Sequence, residues 1–63
     1  MLEQAMLREQ FIALLNQEQS AAAVYAKLAG ELTDPTLRRQ VEQLHLDKQR
    51  HARMAERLVE IVE

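Results

Sequence analysis

Glu18, Lys48 and His51 are the residues of this chain best placed to do chemistry. A carboxylate and an imidazole can bind a divalent metal; a protonated ammonium cannot. Their position singles them out. Leu7, Phe11, Leu14, Glu18, Ala21, Tyr25, Leu28 and Leu32 recur at alternating steps of four and three. So do Leu37, Val41, Leu44, Lys48, His51, Ala55, Leu58 and Val62. That spacing is the face of a helix packed against another helix. Each stripe is apolar or aromatic except near its middle, where the three ionisable residues fall. Charges there are costly to bury unless they are paired or hold a metal.

The elements that position them follow from composition. The 63 residues make a single domain, 1–63, with one glycine, one proline and no cysteine. Abundant Ala, Leu, Gln, Glu and Arg favour helix. Helix 1 is expected from about Leu2 to about Leu32, with Gly30 weakening its last turn. Thr33, Asp34 and Pro35 form the turn. Pro35 disfavours helical geometry at Asp34, and Asp34 can then cap helix 2 with Pro35 in its first turn. Helix 2 is expected from about Pro35 to about Val62. So short a connection makes the helices antiparallel neighbours. Ile12, Leu15, Ala22 and Ala29 widen the first stripe; Ala52, Val59 and Ile61 extend the second. Ala21, Ala22 and Ala55 permit close approach near the charged level. Arg8, Glu9, Lys27, Arg38, Arg39, Asp47, Arg50, Arg53, Glu56 and Arg57 largely fall on solvated faces.

Size adds a constraint. Chains below roughly 70–80 residues usually need disulfides, metals or oligomerisation to be stable. Disulfides are impossible here, and two helices alone leave half of each apolar stripe wet. The expected architecture is therefore all-α, an antiparallel helical hairpin that dimerises into a four-helix bundle. The net charge of −2, with bases and acids interspersed, argues against a nucleic-acid partner. No run is long and apolar enough for a membrane, and no leader pattern opens the chain. The expected compartment is the cytoplasm.

Folding at the turn aligns the chemistry. Glu18 and His51 lie at similar distances along the chain from the turn, and Lys48 is one helical turn from His51. All three should meet at one level, near the middle of both helices. A twofold axis of an antiparallel dimer would pass close by and double the site.

The segment Glu18-Gln-Ser-Ala-Ala-Ala-Val-Tyr25, followed on the second helix by His51-Ala52-Arg53-Met54, resembles half of a ferritin-like di-iron bundle. The likeness is to bacterioferritins and rubrerythrins, and most of all to encapsulated ferritins. Protomers of that last group are two-helix hairpins with a metal site across a dimer interface. It covers most of the chain from Glu18 to about Leu58. The resemblance implies Glu18 and His51 as metal-ligand positions, Tyr25 as a neighbour beyond the ligands, and iron as the metal. It is also compatible with a larger ring of dimers, although no tail beyond Glu63 addresses the chain to a shell.

The departure from the family changes the expected chemistry. The residue three before His51 should be the Glu of Glu-x-x-His, and it is Lys48. In the family, four carboxylates and two neutral histidines balance two divalent ions. Here the doubled site carries two carboxylates and two ammonium groups, so it is neutral without metal. Adding divalent ions would leave their charge uncompensated unless Lys48 deprotonated or swung away. The favoured reading is a metal-free structural or interaction module with no cofactor, in which Lys48 pairs with Glu18 and His51 sits beside them. The alternative is an iron-binding, ferroxidase-like or iron-storage protein. Its metal would be held at the dimer interface by Glu18 and His51.

Other candidates are weaker. Glu42-Gln-Leu-His45 is a literal Glu-x-x-His, but it is expected beside the core stripe and opposite Tyr25. A solvated or interface pair outweighs an accessory metal site there. Asp47 and His51 share i, i+4 spacing, but Asp47 should point away from the core. Tyr25 is more often core filler with a bonded hydroxyl than a redox group. Met1, Met6 and Met54 read as packing residues. Ser20 has no His–Asp support, no glycine-rich phosphate loop exists, and no carboxylate pair shares a face for glycosidase chemistry.

Overall fold

In a computed structural model, which describes residues 2–63, the chain forms two helices, α1 (Leu2–Glu31) and α2 (Pro35–Val62). The turn works as its residues dictate. Asp34 is extended (φ −70°, ψ 120°), and its side chain accepts hydrogen bonds from the Thr36 and Leu37 amides at 2.9 and 3.0 Å. Pro35, which has no amide hydrogen to leave unsatisfied, opens α2. Helix α1 runs through Gly30 and ends one residue short of Leu32. The Leu32 amide still donates to the Leu28 carbonyl at 3.2 Å. Met1 lies outside the described residues.

One antiparallel register holds from end to end. The His45 ring meets the Ala22 carbonyl, Lys48 meets Glu18, and the Gln4 side chain donates to the Val62 carbonyl at 2.9 Å. Arg8 also pairs with Glu63 at 3.5 Å.

The seam between the helices differs from the expected stripes. Phe11, Leu15, Glu18, Ala22, Tyr25, Ala29 and Leu32 are the buried or half-buried row of α1. Val41, His45, Lys48, Ala52, Ala55, Val59 and Val62 are that of α2. Both rows step by four and three. The fully buried residues among those described are all alanines: Ala22, Ala29, Ala52 and Ala55. Small side chains let two backbones approach, so the seam follows the alanines. The expected stripes thus split. Phe11, Glu18, Tyr25, Leu32, Val41, Lys48, Ala55 and Val62 stay in the seam. Leu7, Leu14, Leu28, Leu37 and Leu44 turn outward and are 38–50% exposed. Ile61, Met6 and Met54, expected to pack, are exposed on the lone hairpin.

The outward leucines form a side of their own. Leu14, Glu18, His51, Met54, Ala55 and Leu58 line an open, mainly apolar depression of about 210 Å³. The opposite side is a polar groove, where Gln19, Gln49, Arg53 and Glu56 flank Ala22, Ala52 and His45. The hairpin is a rod, 51 × 13 × 10 Å across its Cα atoms. Its accessible surface is 5012 Å². A compact monomer of 7.3 kDa would expose about 4200 Å². The excess, about 800 Å², matches what each partner of an ordinary stable interface buries.

Candidate functional site at the centre of the hairpin

Glu18 comes from the middle of α1, and Lys48 and His51 from one turn of α2. The register of the seam brings them together as their distances from the turn require. Lys48 Nζ lies 3.4 Å from Glu18 Oε2, and His51 Nδ1 lies 3.5 Å from the same oxygen. The side chains are graded in exposure: Glu18 16%, Lys48 29% and His51 46%. Glu18 thus sits deepest, Lys48 lies in the seam, and His51 stands on the outward apolar side.

Both cationic or potentially cationic groups converge on one carboxylate oxygen. Neither contact is a hydrogen bond, and buried Oε2 has no hydrogen-bond donor in the lone hairpin. A buried acceptor without a donor costs about 1–3 kcal/mol. The ammonium is the nearer group and opposes the carboxylate charge directly. The cluster is therefore an ion pair with an imidazole at its solvent edge.

This donor set does not suit a metal in one hairpin. Among the described residues no group of three or more His, Asp or Glu side chains converges. The carboxylate oxygen that faces His51 also faces Lys48, so a cation placed between Glu18 and His51 would meet the ammonium at close range.

Tyr25 is half-buried in the seam, two helical turns from Glu18 on the same row. Its hydroxyl makes no hydrogen bond among the described residues, so the expected bonded hydroxyl is not formed.

His45 is the residue that sequence reasoning misplaced. Expected beside the core and opposite Tyr25, it lies in the seam opposite Ala22. Its Nδ1 is 2.9 Å from the Ala22 carbonyl. A carbonyl only accepts, so Nδ1 carries the proton. Glu42 is exposed and pairs with Arg38 at 3.1 Å, so Glu42 and His45 do not act together. The missed signal was the run His45, Lys48, Ala52, Ala55, Val59, Val62, which itself steps by three and four. Asp47 is half-buried and accepts from Gln43 at 3.1 Å and Arg50 at 3.2 Å along its own helix.

No helix among the described residues is long and apolar enough to cross a membrane. Compared with family models, with curated proteins and with solved structures, the chain matches none.

Proposed function

We propose that the chain is a ferritin-like helical hairpin that pairs with a second copy into a four-helix bundle, and that its centre works without metal. Its role is that of a structural or interaction module in the cytoplasm. The observation that carries this reading is the Lys48 ammonium at 3.4 Å from Glu18, in the position where the resembled family has a metal-bridging carboxylate. An ammonium there supplies the positive charge that a metal would otherwise bring. Pairing is supported by the exposed leucine rows and by the excess accessible surface. A buried ion pair at mid-height also disfavours sliding of one helix past the other, because any other register would strand a charge.

A second reading rests on one contact, that of Glu18 with His51, which opens onto the outward apolar side. Doubled by a second copy, it would offer two carboxylates and two imidazoles. Iron or zinc can be held by such a set once Lys48 moves aside. Metal analysis of the protein purified from iron-replete cells separates the two. The first reading predicts no stoichiometric iron, manganese or zinc; one metal per pair of chains supports the second.

A further inference from the structure

We infer that His51 makes the pairing of two hairpins sensitive to acid, because its protonation places uncompensated positive charge at the centre of the covered face. This rests on the self-association proposed above and concerns the regulation of that same site.

Three observations carry it. His51 interrupts the outward row Leu37, Leu44, Leu58 at its middle, and Ala21 holds the corresponding place in the row Leu7, Leu14, Leu28. It is therefore the one ionisable member of either row. Its side chain is 46% exposed in the lone hairpin, so covering this side strips water from it. Finally, the single carboxylate it faces is already matched by Lys48.

The charged surroundings leave no spare anion. From α1, only Glu18 lines the depression together with His51. On α2, Lys48 precedes His51 by one turn. Asp47 is spaced to reach it, but its carboxylate is engaged with Gln43 and Arg50. A second copy brings the same set, and so a second His51 rather than an acid. With both imidazoles neutral the paired centre carries no net charge. With both protonated it carries two positive charges.

The direction follows. Pairing favours the neutral imidazole, so it is strongest above the ordinary histidine range and weakens as pH falls through it. Carboxylates titrate lower, near about 4.3, which leaves histidine the responding group between about pH 5 and 8. Two charges roughly 8 Å apart at an effective dielectric of ~20 weaken association about thirtyfold.

Sedimentation equilibrium on the full chain tests this from about pH 8 to about pH 5.5. The dimer dissociation constant of the wild type should rise about thirtyfold. His51→Gln and His51→Leu should show no such rise. His45→Gln should behave as wild type, because His45 opens onto the polar side. An unchanged wild-type constant, or an equal rise in His51→Gln, overturns the inference and leaves the pairing intact. A wild type that stays monomeric at the alkaline end overturns the pairing itself.

Discussion

Replacing Lys48 and Glu18 by leucine, singly and together, measures how the central ion pair contributes to stability. Two unit charges at about this spacing attract by about 4 kcal/mol at an effective dielectric of ~20. Glu18 and Lys48 are 16% and 29% exposed, so desolvation and residual screening offset most of that. A coupling of about 1–2 kcal/mol should remain. Lys48→Leu alone should cost about 2 kcal/mol, because Glu18 Oε2 already lacks a hydrogen bond and loses its nearest cation. The double variant should recover wild-type stability or exceed it, since two leucines suit a half-buried seam. The assay is urea unfolding followed by circular dichroism at fixed protein concentration, because pairing makes stability concentration-dependent. A double variant less stable than Lys48→Leu, or a coupling near zero, would refute the view that these charges are a balanced pair.

Three further substitutions test the frame around the site. Asp34→Ala removes the acceptor for two α2 amides and should lower stability by about 1 kcal/mol in the same unfolding assay. Gly30 is helical, and a Cβ there would touch nothing within 4 Å. Gly30→Ala should therefore stabilise by about 0.5–1 kcal/mol, read as a higher melting temperature. Ala55 is 1% exposed in the seam, so Ala55→Leu should push the helices apart and cost about 1–3 kcal/mol. A neutral outcome for Ala55→Leu would show that the alanines do not set the closest approach.

The hairpin was legible because its signals are local. Asp34 and Pro35 define a cap whatever surrounds them, and steps of four and three define a helix face. The central level was legible for a related reason. Antiparallel helices joined by a short turn pair residues equidistant from it, which brings Glu18 to Lys48 and His51. What periodicity left ambiguous was which flank of each stripe enters the seam. Phe11, Glu18, Tyr25 and Leu32 belong equally to a row completed by Leu14, Ala21 and Leu28 and to one completed by Leu15, Ala22 and Ala29. Side-chain size decides between them. Ala22, Ala29, Ala52 and Ala55 let the backbones come close, and the leucines of the other flank are left outside. His45 moved into the seam by the same choice, and His51 moved to its edge.

That division gives the site two distinct layers. Glu18 and Lys48 lie within one hairpin and hold its register. His51 lies where the hairpin ends and a neighbour would begin. A substitution at Lys48 should therefore act on folding and metal preference, and one at His51 on association.

Ferrous-ion binding and oxidation by Lys48→Glu, measured beside the wild type, test the central claim most directly. The substitution restores the family's Glu-x-x-His on α2 and exchanges an ammonium for a carboxylate beside Glu18. If the ammonium stands in for metal, the variant should take up iron stoichiometrically and oxidise it, while the wild type does neither. A wild type that binds and oxidises iron as well as the variant does would contradict the account.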